Sequence, residues 1–271
     1  MITVKNVVTP SSTAEAYDVL RSNRFATLLG GGAFLRMGSK NISTLIDLSH
    51  CGMGEIKEGK DDWEIGGMVT LGDLERHVEL NRQYDGLLKV SVKDIVGVQL
   101  RNIVTTGASV YARYGFSDLI TGLLSLPVQV KLHHKGLMTL EDFLAEGSGG
   151  RDLLEAVIIS KGNCVAHALS IRKTTGDYAL LNAAVAKTNG ELRISVGARP
   201  GRARLARRAM AQLAHCGWTE ASLEVAAKTA SNELPFGSNS RACREYRQQL
   251  CYVLVKRALR EVARREAEYN D

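Results

Sequence analysis

Through the first half of the chain, short apolar runs of β type alternate with short helical ones, and the second half changes to longer runs with a steadier period. Residues 25–29, 44–48 and 63–66 read as strands. Thr70 stands where it would cap a helix beginning at Leu71. A helical pattern covers 87–95, and a further helix at 119–124 follows Ser117 and Asp118 and ends before Pro127. Residues 128–132 return to a strand, and Thr139-Leu140-Glu141-Asp142 has the spacing that opens a short helix ending near Leu144.

Gly147-Ser148-Gly149-Gly150 is the one stretch of small, flexible residues between periodic segments, which predicts a domain of residues 1–150 and a second of 151–271. After it come strands at 154–160, 165–171, 178–186 and 191–196, then helices at 202–215, 220–228 and 241–267. Strands first and helices afterwards predict an antiparallel sheet with helices packed on one face. In the last helix Cys243, Tyr246, Leu250, Val253 and Leu254 make an apolar stripe, so Cys243 is read as core.

Composition narrows the class. With 271 residues, 45% apolar, 24% charged and four prolines, the chain has room for two ordinary cores and nothing of the disordered type. No apolar run approaches the roughly 20 residues that span a bilayer, and the N-terminus lacks a secretion pattern, so a cytoplasmic protein without membrane contact is expected. Five scattered cysteines have no metal-ligand spacing and are read as reduced, buried thiols. Any metal centre must then come from another chain. The charge of +6 is densest at Arg199, Arg202, Arg204, Arg207 and Arg208, but Leu205, Ala206, Ala209, Met210 and Leu213 fall on the opposite helical face. That is a solvated helix, suited to an acidic partner or an anionic substrate, and no nucleic-acid binding is expected.

Two glycine turns remain, each entered from a β-prone run: Leu28-Leu29-Gly30-Gly31-Gly32-Ala33-Phe34 and Val104-Thr105-Thr106-Gly107-Ala108-Ser109-Val110. Glycine lets successive backbone N–H groups converge on an anion and tolerates positive φ. Taken as a pair, the turns read as two jaws on one diphosphate. The dinucleotide fingerprint of a Rossmann fold fails because Leu35 occupies the third glycine position. No Gly-x-Ser-x-Gly or phosphate-loop lysine is present, and His133-His134 reads as a turn at a strand end.

These turns resemble the A-G-G-T-D-L-L and T-x-G-G-N-L…A-S-D loops in the FAD-binding medium subunit of molybdenum hydroxylases, the family of xanthine, carbon monoxide and nicotinate dehydrogenases. Ile46-Asp47-Leu48, the run from Ile65-Gly66-Gly67 to Asp73-Leu74, Arg172 with Asp177-Tyr178-Ala179-Leu180, Ile194-Ser195-Val196-Gly197 and residues 242–259 resemble further family segments. The likeness spans nearly the whole chain. It implies an α+β protein: a two-subdomain FAD-binding domain of vanillyl-alcohol-oxidase type followed by a C-terminal antiparallel sheet backed by helices.

Carried over residue by residue, the resemblance implies that Leu28, Leu29, Gly30, Gly31, Gly32, Ala33 and Phe34 wrap the diphosphate and ribityl chain of FAD. Thr105, Gly107, Ala108, Ser109 and Val110 would close the other side, and Asp118 would contact the adenosine ribose. It further implies an oxidoreductase inactive alone on the organic substrate, working beside a molybdopterin-containing subunit and a [2Fe-2S] subunit, with NAD(P) among the possible electron acceptors. No catalytic side chain and no metal ligand is expected. The chain departs from the family at Gly32 and Ala33, where a hydroxyl and an acidic or polar residue are common, at Ala108 and Ser109, where Gly-Asn is usual, and at Leu169, where relatives place a lysine; Lys173 is a candidate substitute. The thinned donors leave two alternatives open: a flavin-free assembly or regulatory subunit of the same fold, and a stand-alone flavin oxidase.

Overall fold

The computed structural model describes residues 2–146 and 151–270, so the expected linker at 147–150 lies outside the described residues. The chain divides into two compact units. The first comprises Met1–Leu74, Gly97–Ala112 and Val128–Ser160, the second Glu75–Val96, Arg113–Pro127 and Lys161–Asp271.

In the first unit, β1 (Thr3–Val8), β2 (Ala26–Leu29) and β3 (Asn41–Asp47) form a parallel sheet in the order β1–β3–β2. Parallel strands of one sheet need a crossover, which the helix Thr13–Ser22 supplies between the two outer strands, β1 and β2. Ser12 caps that helix by accepting the Glu15 amide at 3.2 Å. Its apolar face sets Ala16 and Leu20 against Ala26, Ile46 and Leu48. Burial of that face fixes the register, with Leu28 beside Ile46 and Leu29 beside Asp47, and the chain leaves the sheet at Gly30.

The same unit holds an antiparallel sheet of β4 (Ile56–Glu58), β5 (Asp62–Gly66), β6 (Val128–Leu132), β7 (Gly136–Thr139) and β8 (Leu154–Ser160), ordered β4–β5–β8–β6–β7. Grouping 154–160 with the C-terminal sheet is thereby corrected. Trp63 lies beside Ile159 and Val130 beside Val157, which places β8 at the centre here. An apolar strand suits the middle of either sheet, and its pattern does not name its neighbours. The two helix starts read from threonines are present: Thr70 accepts the Asp73 amide and Thr139 the Asp142 amide, each at 3.1 Å.

In the second unit, β9 (Cys164–Ile171), β10 (Leu181–Thr188), β11 (Glu191–Gly197) and β12 (Arg204–Leu205) form an antiparallel sheet ordered β12–β11–β10–β9. Leu181, Ala183, Val185, Ile194 and Val196 face a cluster from the helices Arg207–Cys216, Glu220–Glu233 and Arg244–Asn270. The sheet's other face is covered as well. There Ser195 Oγ donates to the Thr121 carbonyl at 2.5 Å and Thr121 Oγ1 to Asn182 Oδ1 at 2.9 Å, which seats the helix Asp118–Leu124.

Three readings change in this unit. The helix expected from 202 starts at Arg207, because Leu205 pairs with Ser195 and the Ala206 amide donates to the Ile194 carbonyl at 2.8 Å. The strand expected from 178 begins at Leu181. In the last helix the buried stripe runs Arg247, Cys251, Leu254, Val255, Ala258, Leu259 and Val262, while Cys243 and Tyr246 are exposed. The thiols follow suit: Cys51 and Cys251 are buried, Cys164 is half-buried, and Cys216 and Cys243 are exposed. Arg199, read as part of a solvated stretch, is buried as well. Among the described residues no helix is long and apolar enough to cross a membrane.

Arg247 is 1% exposed and donates to the carbonyls of Leu180 and Ala198 and, at 2.6 Å, to Asn239 Oδ1. Arg247→Leu strands three acceptors and is expected to remove about 3 kcal/mol of stability, read as a lower urea midpoint. In the first unit, burial would raise the Glu155 carboxyl, but hydrogen bonds from His133 and Thr13 and the Lys131 charge outweigh it, so its pKa lies below the usual value. A lowered carboxylate contributes stability above the unfolded pKa and loses it as pH falls through the folded one. Glu155→Gln is therefore expected to lose less stability than the parent between about pH 5 and pH 3 in acid unfolding.

Candidate functional site

The first glycine turn is built by crowding. Gly31 and Gly32 have φ of +72° and +70°, the left-handed region that glycine enters without penalty. A Cβ on Gly31 would lie 1.8 Å from the Ile103 carbonyl oxygen, and one on Gly30 would lie 2.9 Å from Thr105 Oγ1 and 3.1 Å from Ala108 Cβ. Gly30 and Gly31 are therefore glycines because the second turn is packed directly against them. The turn closes where the Arg36 amide donates to the Gly32 carbonyl at 3.1 Å, leading into a 3-10 turn at Leu35–Met37. Arg151 anchors the way in, donating to the carbonyls of Asn23, at 2.8 Å, and Ala26.

Hydrogen bonds divide the two turns sharply. Among the described residues, the amides of Gly31, Gly32 and Ala33 meet no acceptor in the chain. In the second turn every amide from 106 to 109 is taken. Thr106 donates to the Val69 carbonyl at 2.8 Å, Gly107 to that of Gly67 at 2.9 Å and Ser109 to that of Thr105 at 3.0 Å, while the Ala108 amide reaches Thr105 Oγ1 at 3.4 Å. The Ser109 hydroxyl also donates to the Thr105 carbonyl, at 2.8 Å.

The two turns are packed directly against each other, and they do not offer matching rows of donors. Leu28 and Leu29 are half-buried, Ala33 is buried and Phe34 is exposed beside the free amides; Ala108 is exposed, Ser109 half-buried, and Thr105, Gly107 and Val110 are buried. Val110 therefore serves the packing of its helix, Thr106–Tyr111.

Asp118 lies in the second unit and opens the helix Asp118–Leu124 behind Ser117, whose hydroxyl accepts the Ile120 amide at 3.2 Å. Both carboxylate oxygens are engaged: Arg172 Nη2 donates to one and Asn182 Nδ2 to the other, each at 2.7 Å. Burial raises the carboxyl's pKa above the usual value against the opposing pull of Arg172 and Asn182. Beside it is a cavity of about 160 Å³ whose polar walls include Ser91, Asp94, Thr121 and Ser170.

Arg172 and Asn182 were not among the residues the sequence singled out for this site. The available signal was Arg172 itself, at the head of the segment that leads to Asp177 and Tyr178. Arg172 Nη1 also donates to the Asp177 carbonyl at 2.9 Å. Arg241 pairs with the Asp177 carboxylate at 3.0 Å and lies over the Tyr178 ring, which packs on Phe116 with centroids 4.3 Å apart. Leu169 packs toward the helical cluster and Lys173 is exposed, so the lysine expected from the resemblance has no counterpart at 169.

Two family models match the chain: the FAD binding domain in molybdopterin dehydrogenase over residues 3–161, and the CO dehydrogenase flavoprotein C-terminal domain over 166–262. No curated protein matches it. Solved structures share the fold at low identity. Quinoline 2-oxidoreductase from Pseudomonas putida 86 is 22% identical, with 97% of each chain covered and a TM-score of 0.85. Carbon monoxide dehydrogenase from Hydrogenophaga pseudoflava is 22% identical, covering 96% of this chain and 97% of the other at a TM-score of 0.84. The reconstituted enzyme from Oligotropha carboxidovorans is 21% identical over the same shares, at 0.87.

Two glycines separate the cost of backbone conformation from the cost of crowding. Gly52 shares the φ of +72°, but a Cβ there would meet nothing within 4 Å, whereas one on Gly31 runs into Ile103. Gly52→Ala is expected to cost about 1 kcal/mol, the left-handed penalty alone, and Gly31→Ala at least about 2 kcal/mol more, measured by denaturant unfolding.

Proposed function

Since this chain belongs to the FAD-binding subunits of the molybdenum hydroxylase family, we propose that it is the electron-transfer subunit of a multi-subunit enzyme, taking electrons from a [2Fe-2S] partner. FAD is its cofactor and the chain is an oxidoreductase subunit. We assign oxidation of the organic substrate to a molybdopterin-containing partner, so that this chain is inactive alone on that substrate, and delivery of electrons to an external acceptor such as NAD(P). Five free cysteines fit a reducing compartment, the cytoplasm.

One observation carries the reading: a double glycine at positive φ presents the amides of Gly31, Gly32 and Ala33 with no acceptor of their own. Converging amides of this kind suit the oxygens of a diphosphate. Leu28, Leu29, Gly30 and Phe34 complete that cradle. Thr105, Gly107, Ala108, Ser109 and Val110 form its wall and support. Asp118 keeps lone pairs beyond those used by Arg172 and Asn182, which is the chemistry of an acceptor for ribose hydroxyls. When bound, FAD supplies a carrier able to exchange electrons singly or in pairs, while the protein sets its position and electrostatic surroundings. No nucleophile or general base is required of the chain.

The test uses charge at one backbone position. Aspartate and asparagine tolerate positive φ about equally, so Gly32→Asp and Gly32→Asn differ chiefly by one negative charge beside the diphosphate. Purified protein titrated with FAD is expected to bind one equivalent, seen as flavin absorption and quenched fluorescence. The aspartate variant should bind at least tenfold more weakly than the asparagine variant. Absence of flavin binding by the parent protein would favour the flavin-free subunit, and equal affinities for the two variants would remove the diphosphate from Gly32.

A further inference from the structure

We infer that Gly67 is a positioning residue for the cofactor cradle, acting through Gly107 to hold the second turn against Gly30 and Gly31; this rests on the FAD-binding reading and concerns a residue outside the two turns. Gly67 is the middle member of a backbone seam. Its amide donates to the Glu155 carbonyl at 2.7 Å, and its own carbonyl accepts the Gly107 amide at 2.9 Å. A Cβ on Gly67 would lie 2.6 Å from the Leu154 carbonyl oxygen, and one on Gly107 would lie 2.6 Å from the Gly67 oxygen and 2.8 Å from its Cα. All of these obstacles are backbone atoms, which cannot rotate away as a side chain tip does.

The seam continues on both sides of that contact. The Thr106 amide and hydroxyl both donate to the Val69 carbonyl, at 2.8 and 3.0 Å, and the Leu71 amide donates to the Val104 carbonyl at 2.9 Å. The run from 67 to 71 thus fastens the second turn from 104 to 107. At its other edge the second turn meets the cradle, with Ile103, Thr105 and Ala108 in contact distance of any side chain on Gly30 or Gly31. Because the amides of Thr106 and Gly107 are spent on this fastening and those of Ala108 and Ser109 on Thr105, the second turn sets where Gly31, Gly32 and Ala33 stand and leaves the donating to them. A methyl group at 67 must push β8 or the second turn outward, and the displacement arrives at Gly30 and Gly31, beside the amides that would hold a diphosphate.

The experiment compares FAD, which carries the diphosphate, with riboflavin, which lacks it. With the full chain, Gly67→Ala is expected to weaken FAD binding at least tenfold while changing riboflavin binding less than twofold. Gly54→Ala, with nothing within 4 Å and no positive φ, should change neither. If Gly67→Ala does not fold, Thr106→Val loosens the same seam without added bulk and should lower FAD affinity a few-fold with riboflavin affinity unchanged. Equal losses for both ligands would reduce Gly67 to general stability, and unchanged FAD affinity would overturn the inference outright. Failure of the parent protein to bind FAD would instead strike the functional reading on which it rests.

Discussion

The approach of one backbone to another around Gly31 and Gly67 is the constraint on which the first unit depends. At each position a side chain would run into a carbonyl oxygen, that of Ile103 in one case and of Leu154 in the other. Close packing of this kind gives little energy by itself. It fixes distance, because peptide groups are rigid and their hydrogen bonds hold a narrow range of lengths. Three segments far apart in sequence, around 30, 67 and 105, are thereby held to tolerances that flexible side chains could not maintain. What emerges at the surface is a turn whose amides have nowhere to turn within the protein.

That division of labour corrects an assumption built into reading glycine-rich loops. Glycines in two turns suggested two sets of amide donors, yet a glycine is equally demanded by a neighbour that comes too near. Gly107 belongs to the second kind: its amide is satisfied by Gly67 and its missing side chain makes room for the same residue. Gly31 meets both demands at once, with a positive φ, an amide free to bind a ligand and a carbonyl pressed against it. Sequence shows the glycine and cannot show which reason applies.

Much of the remaining fold could be read from residue pattern because its signals are local. Thr70 and Thr139 announce helix starts through their own hydroxyls, and β9 and β11 fall close to the apolar runs that predicted them. Partner choice was not legible. β8 looks like a strand of either sheet, and β12 takes two residues from the start of a convincing amphipathic helix because Ser195 and Val196 offer an open edge. The two turns and Asp118 stand out in the sequence and Arg172 heads a recognised segment, whereas nothing there ties Arg172 or Asn182 to Asp118. Their role lies in reaching one carboxylate from positions more than fifty residues away.

The hardest feature to foresee is the inward arginine. On a helical wheel Arg247 falls among Cys243, Leu250, Cys251 and Leu254, and its residue type alone kept it out of the expected stripe; it is tolerated inside because the groups it meets are polar too. The segments ending at Leu180 and Ala198 and the one carrying Asn239 lie outside regular structure at those points, so their oxygens cannot all be satisfied by a sheet or helix ladder. One planar guanidinium supplies several donors in fixed directions, which a lysine or a hydrophobic residue of similar length cannot do. Arg199 repeats the arrangement, donating to the carbonyls of Pro235 and, at 2.7 Å, Arg202. Neither has a carboxylate in these bonds, so carbonyl dipoles offset the cost of burying the charge. The two arginines thus act as substitutes for secondary structure at the rim of the C-terminal sheet, and the run from Asp177 to Leu180 is held at one end by Arg172 and Arg241 and at the other by Arg247. Tyr178 sits inside that doubly held run, which gives an exposed aromatic ring a fixed address without placing it on a strand or helix.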